Sequence, residues 1–233
     1  MLNTATIPNL ESLSLVDALR TISEGYQPGE VVFSSSLGQE DQVLTDAIFR
    51  NQLPVRVFSI DTGRLFNETY ELLERTTARY KQPIELFFPN AADVEAYVLQ
   101  NGINGFYESV DNRKACCHVR KVIPLNRALT GAKVWITGLR AEQSGNRKDM
   151  PMVEWLADRE LYKVNPLIHW SYDQMLSYIN EFNVPYNRLH DKGFISIGCA
   201  PCTRAIEPGE EARAGRWWWE ASQKECGLHA ASR

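Results

Sequence analysis

The chain has 233 residues, 44% of them hydrophobic and 23% charged, with a formal net charge of −4. This is the composition of an ordinary soluble globular protein with one sizeable core, and its acidic balance argues against a binder of nucleic acid. No apolar run approaches the roughly 20 residues of a membrane span. "MLNTATIPNLESLSL" lacks a basic region followed by an apolar core, so the expected location is the cytoplasm, where structural disulfides are rare.

In chain order, "EVVFSSS" reads as a buried strand entering a serine-rich turn. "EDQVLTDAIFRN" follows as a helix, with Val43, Leu44, Ala47 and Ile48 on one face. "VRVFSI" is a second strand, then "DTG", then the helix "LFNETYELLERTTARY". "IELFF" is a third strand and "AADVEAYVLQNG" a helix with Gly102 placed as its C-cap. "KVWITG" is a fourth strand. Beyond Asp149, "MPMVEWLADRELYKVNPLIHW" is a β-rich segment and "SYDQMLSYINEFN" a helix capped by Ser171. From Val184 the chain is irregular.

This alternation predicts an α/β fold, a parallel sheet with helices on both faces, and a C-terminal extension. No linker composition interrupts it. The expected organisation is a body over 1–205 and a tail over 206–233. Ligands in such folds sit beyond the carboxyl ends of the strands. "SSSLGQED", "DTG" and "TGLRAEQSGNR" all follow strands, so they are expected to line one crevice.

In the first of these, Ser34, Ser35, Ser36, Leu37 and Gly38 precede a helix, where backbone N–H groups and the helix N-terminus suit an anion. No Gly-Lys-Ser/Thr follows, so it is not a Walker loop. The same residues are compatible with a plain strand–helix turn. Asp61, Thr62 and Gly63 fit a nucleoside contact or, on spacing alone, a helix cap. Arg140 and Arg147, with Gln143 and Ser144 between them, suit bidentate capture of phosphate or sulfate, or form a solvated surface loop.

The sequence holds five cysteines. Cys116 and Cys117 are adjacent in "RKACCHVRK", and neighbours bridge each other only with strain. Cys199 and Cys202 form a C-x-x-C pair. Two pairs suggest a four-thiolate site, for zinc or for an iron–sulfur cluster, with buried free thiols as the bland alternative. Cys226 stands apart, beside Lys224 and His229, cations that lower a thiol's pKa; it reads equally as an inert tail cysteine. The three tryptophans in "RAGRWWWE" cannot all face one core, so some pack the tail down or meet a partner.

The ordered set "SSSLGQED", "DTG", "CCHVRK", "TGLRAEQSGNR", "GCAPC", "RAGRWWWE" and "ECGLH" resembles the assimilatory sulfonucleotide reductases, in particular the bacterial adenylylsulfate (APS) reductases of the iron–sulfur type. The resemblance runs from about Val31 to His229. It implies a Rossmann-like fold of the adenine nucleotide alpha hydrolase type. It implies a [4Fe–4S] cluster on Cys116, Cys117, Cys199 and Cys202, whose charge the flanking Arg120 and Lys121 offset, and Cys226 as the nucleophile. Lys121 falls where the family has a lysine near both cluster and substrate. Arg140, Arg147, Arg213, Arg216 and His229 fall on anion-contacting positions, and the first loop with "DTG" on the APS site.

The implied reaction is thioredoxin-dependent reduction of APS to sulfite and AMP through an enzyme S-sulfocysteine. The rival readings are a reductase of the 3′-phosphorylated substrate (PAPS), an ATP-dependent adenylating or thiolation enzyme, and a non-catalytic zinc module. The first loop lacks the Ser-Gly-Gly-x-Asp-Ser form of ATP-cleaving relatives, which weighs against adenylation. A homo-oligomer is left open.

Overall fold

The computed structural model describes residues 7–220. In chain order the elements are α1 (Leu15–Glu24), β1 (Val31–Ser34), α2 (Gln39–Arg50), β2 (Arg56–Ile60), α3 (Asn67–Tyr80), β3 (Glu85–Phe87) and α4 (Ala91–Asn101). There follow α5 (Val110–Cys117), α6 (Ile123–Ala128), β4 (Val134–Ile136), β5 (Val153–Leu156), β6 (Leu161–Val164) and α7 (Tyr172–Glu181). The sheet is six-stranded, in the order β3-β2-β1-β4-β6-β5. β1 pairs parallel with β2 and β4, and β4 parallel with β6.

The parallel sheet expected from the strand–helix alternation is present, and the β-rich segment beyond Asp149 adds one antiparallel strand, β5. β5 runs antiparallel to β6, with Val153 opposite Val164 and Leu156 opposite Leu161. Four residues join the two strands, too few for the crossover that a parallel pair requires.

The chain divides into two compact units. The first takes Met1–Phe58, Leu72–Ile84 and Gly131–Tyr186, and the second Ser59–Glu71, Glu85–Thr130 and Asn187–Arg233.

The first unit has an aliphatic core. β1 and β4 bury every apolar side chain they carry, as central strands covered on both faces do. α1, which the sequence reading missed, starts at Ser14, whose side chain accepts from the Asp17 N–H. It turns Ala18, Leu19 and Ile22 into the core. α2 is expected to bury one face, yet nearly its whole length is buried. The polar groups this engulfs are paired. Gln42 Nε2 donates to Thr76 Oγ1 and to the Pro185 carbonyl. Asp46 accepts from the hydroxyls of Tyr80 and Tyr178, each at 2.8 Å, and from Arg50. The carboxylate and burial together push both tyrosine pKa values well above the usual range. Ser171 caps α7 as expected, in a reciprocal box with Gln174.

In the second unit, α4 ends where expected, at Gly102, whose φ of 79° suits glycine. Ser109 caps α5 by accepting from the Asn112 N–H. α5 does not stop at the cysteines. It continues through a π-helical segment, His118–Val122, into α6. Pro124 has no N–H to give and its ring would press on the preceding turn. The wider turn, with the Ile123 N–H bonded to the His118 carbonyl, takes up the misfit.

Candidate functional site

Each unit holds a candidate site. In the first, the chain leaves β1 into the serine loop. Ser34 Oγ accepts from Trp135 Nε1 at 2.8 Å. Ser35 is buried, and its Oγ accepts the Leu37 N–H. Leu37 adopts a φ of 61°, a left-handed conformation that a leucine takes only where its surroundings impose it. Here its side chain is buried in the core. Gly38 then starts α2 with no side-chain cap.

Asp41, which the sequence reading passed over, closes this loop. Its Oδ2 accepts both the N–H and the hydroxyl of Ser36, each at 2.6 Å. Burial pushes its carboxyl up from the usual 3.8 to about 6; the Ser36 bonds and the Arg147 charge pull against that, while Glu40 adds to it. Gly138 packs against it so closely that a Cβ there would lie 2.1 Å from Asp41 Oδ1. Arg140 is buried and committed to acids, with Glu40 and Glu142 each at 3.0 Å. Gln143 Oε1 accepts from the Arg140 N–H and from Arg147 Nη1. Ser144 Oγ is buried without a hydrogen-bond partner. The first unit thus brings together Ser36, Gln143 and Arg147, and adds Asp41 and Gly138.

In the second unit, Cys116 and Cys117 on the last turn of α5 face Cys199 and Cys202 across one cavity. Cys199 precedes a short 3₁₀ turn, Ala200–Cys202, whose Ala200 N–H donates to the Arg64 carbonyl. The cavity opens to solvent. Phe106, Pro201 and Trp217 give it apolar walls, and Arg64, Arg113, Arg120 and Lys121 also line it. None of the four thiols forms a disulfide.

Burial raises the Cys116 thiol, against the pull of Arg120, with the Cys199 charge adding to it. Burial and then Cys199 push Cys202 up to about 12, with Lys121 and Arg216 opposing. Such thiols stay protonated until a metal or another strong electrophile displaces the proton. Among the described residues no three His, Cys, Asp or Glu side chains converge on a single metal ion. Four thiols lining one cavity are a donor set of the kind that holds zinc or an iron–sulfur cluster.

The "DTG" turn belongs to this unit. Asp61 Oδ1 accepts from the Gly63 N–H and the Tyr70 hydroxyl. Thr62 Oγ1 lies 3.3 Å from Cys199 Sγ, and the Thr62 carbonyl accepts from Arg120 Nη1 at 2.7 Å. Gly63 has a φ of 70°, and a Cβ there would meet Arg120 Nη1 at 3.4 Å. Arg216 is buried over the Trp217 ring, with no room for a side chain at Gly198 beneath it. The Arg213 carbonyl accepts the Arg216 N–H. Of the three tryptophans, Trp217 is buried against the thiols and Trp218 is exposed. Cys226 and His229 lie outside the described residues.

Spacing could have found part of what was missed. Arg113, Cys117 and Arg120 recur at helical intervals, and so do Cys116 and Arg120. Asp41, Gly138 and Glu220 carry no such local signal.

The fold agrees with the comparisons. Residues 30–205 match the phosphoadenosine phosphosulfate reductase domain, and the chain belongs to that family. Among curated relatives it is similar to the adenosine 5′-phosphosulfate reductase of Agrobacterium fabrum. The two are 55% identical over 204 residues, 87% of this chain and 78% of the relative. The protein of the same name from Allochromatium vinosum is 49% identical over 229 residues, 98% of this chain and 88% of the relative. Among solved structures, a phosphoadenylyl-sulfate reductase from Candida auris in a phosphate complex superposes with a TM-score of 0.72 at 27% identity. That match covers 85% of this chain and 93% of the other.

Proposed function

We propose that the protein is a thioredoxin-dependent APS reductase of assimilatory sulfate reduction, releasing sulfite and AMP. One observation carries this reading: two cysteine pairs from distant segments line one cation-walled cavity, in a chain about half identical to proteins named for that activity.

In this reading Ser34, Ser35, Ser36, Leu37 and Gly38, with Asp61, Thr62 and Gly63, hold the nucleotide. Lys121, Arg140, Gln143, Arg147, Arg213, Arg216 and His229 meet the phosphosulfate. Arg140 acts mainly by fixing the loop through Glu40, since both its charged contacts are with the protein's own acids. The body over 1–205 binds the sulfonucleotide, and the tail over 206–233 brings the nucleophile.

Cys226 thiolate attacks the APS sulfur. The S–S bond forms as the bond from sulfur to the AMP oxygen breaks, and AMP leaves with that electron pair. Nearby guanidinium groups lower the repulsion between a thiolate and a multiply charged substrate. A protein dithiol then attacks Cys226 Sγ and expels sulfite. Its second thiol resolves the mixed disulfide, so the dithiol supplies both electrons.

Cys116, Cys117, Cys199 and Cys202 would hold a [4Fe–4S] cluster. Bound there, it would supply structure and local charge, balanced by Arg120 and Lys121. Among the described residues no helix is long and apolar enough to cross a membrane. A cytoplasmic location is part of the proposal.

The test is sulfite release from APS and from PAPS, at equal concentration and with thioredoxin as reductant. APS turnover well above PAPS turnover is expected. The reverse preference would favour a PAPS reductase, the reading suggested by the name of the Candida auris relative. Absence of sulfite from both would remove the reductase reading.

A further inference from the structure

Arg113, which lines the thiol cavity, forms an ion pair that this reaction leaves unused. Arg113, on α5, donates from Nε and Nη2 to the two carboxylate oxygens of Glu220, at 2.8 and 2.9 Å. Both side chains are almost fully buried, at 2% and 3% exposure. Removing two charges from water is costly, and breaking such a pair leaves one buried charge uncompensated. A surface loop would have no use for so demanding a fastening.

The surroundings show what is fastened. Arg113 stacks over the Trp217 ring at 4.7 Å from its centroid. The Trp217 N–H donates to the Cys202 carbonyl, and the Arg204 N–H donates to the Gly215 carbonyl. A Cβ at Gly215 would lie 2.3 Å from the Arg204 carbonyl oxygen, so this approach is as close as a backbone permits. The Glu220 N–H closes a turn on the Trp217 carbonyl. Residue 220 is therefore tied to both thiol pairs, to Cys116 and Cys117 through Arg113 and to Cys202 through Trp217.

We infer that Arg113 and Glu220 are a positioning pair, which fixes residue 220, the point from which the chain runs on to Cys226. The inference rests on Cys226 being the nucleophile. Cys226 lies six positions beyond Glu220, a reach of at most about 22 Å of extended chain. A fixed root restricts that reach and raises the effective concentration of the thiolate at the substrate sulfur. The pair acts by holding residue 220, so its effect belongs to the rate of sulfur transfer and not to nucleotide affinity.

The experiment uses the full-length protein, purified anaerobically with its visible chromophore. S-sulfonation of Cys226 by APS is followed in a single turnover without dithiol, by mass spectrometry. The proteins compared are wild type, Glu220→Gln, an insertion of two glycines after Glu220, and the combination. AMP affinity and visible absorption are recorded for each. Glu220→Gln is expected to slow Cys226 adduct formation at saturating APS on the order of 10–100-fold. AMP affinity and the chromophore stay within about twofold, a split that general destabilisation does not produce. The glycine insertion alone slows the step similarly, and adds little in the Glu220→Gln background, because both release the same root.

If Glu220→Gln forms the Cys226 adduct at the wild-type rate, the inference is overturned. Should that variant lose the chromophore, the insertion decides, and a wild-type rate from it overturns the inference equally. An adduct on another cysteine of the wild type removes the nucleophile reading and this inference with it.

Discussion

The two units neutralise buried charge in opposite ways. In the first, charges sit beside a large aliphatic core and are settled locally: Asp46 by two tyrosines and Arg50, Arg140 by Glu40 and Glu142, Asp41 by Ser36. In the second, the described core cluster around the cavity is sulfur and aromatic, Cys117, Cys199 and Cys202 with Phe106 and Trp217. Its lining carries four cations, Arg64, Arg113, Arg120 and Lys121. Arg113 meets the carboxylate of Glu220. Four cations beside buried thiols suit the anionic cluster proposed for this cavity. The first unit settles its charges within its own scaffold, and the second presents them along a cavity.

The comparison breaks most visibly at a thiol. Cys202→Ser should abolish the visible chromophore and the iron and acid-labile sulfide content. Sulfite release should fall on the order of 100-fold or more, since even groups that only orient a metal ligand cost 10–100-fold. Asp41→Asn, in the other unit, should leave the chromophore intact. One equivalent of zinc and no labile sulfide in the wild type would show that the cavity holds a different group.

Gly138→Ala probes the first unit in the same spirit. Its Cβ would lie 2.1 Å from Asp41 Oδ1 and 3.2 Å from the Asp41 backbone nitrogen, so the loop has to shift. A loss of about 1–3 kcal/mol in urea unfolding is expected, the usual cost of overpacking, together with weaker AMP binding by calorimetry. Visible absorption should be unchanged. Loss of the chromophore with AMP affinity retained would reverse the assignment of the two units.

Helix caps give a smaller effect. Ser109→Ala and Ser171→Ala each remove an N-cap acceptor, from α5 and α7. Each should cost about 1 kcal/mol by urea titration. Only Ser109→Ala, at the head of the helix bearing Cys116 and Cys117, should also speed loss of the chromophore to a chelator. Equal chelator rates would mean that α5 is held by its packing alone.

These targets differ in how far the sequence disclosed them. β1 and β2 with the helices after them, and β4, follow from short apolar runs and helical periodicity, and the Gly102 and Ser171 caps from residue type. α1 is amphipathic and short, and its Ser14 cap went unused. α5 was hidden because "VDNRKACC" has almost no apolar stripe, and Pro124 lies in what proves to be a continuous helical stretch. The cysteine pairs announced themselves by spacing, whereas the cations around them did not. Arg113 and Glu220 are 107 residues apart and meet only in the folded chain. Asp41 was concealed in the same way. On a helix expected to bury one face it reads as a solvated first-turn acid, and only the serine loop and Gly138 make it a buried one.

Asp41 also gives the smallest of the predictions and the most sensitive test of how the first unit holds its charges. Its carboxyl is raised from 3.8 to about 6 mainly by burial, so the folded protein holds this proton more tightly than the unfolded chain does. Its contribution to stability is then fully present below about pH 4 and lost as pH rises through about 6, because ionising it costs more when folded. The charges that act on it are Glu40, which raises the carboxyl further, and Arg147, which opposes. Asn at this position keeps an acceptor oxygen for Ser36 and cannot ionise. The difference in unfolding free energy, Asp41→Asn minus wild type, should therefore grow by about 1 kcal/mol between pH 5 and 7 and level off above. Other titrating groups cancel in that difference unless they couple to Asp41. A difference that stays flat, or shrinks as pH rises, would mean that Arg147 and Ser36 outweigh burial. The first unit would then hold its carboxylate as firmly charged as the second holds its arginines.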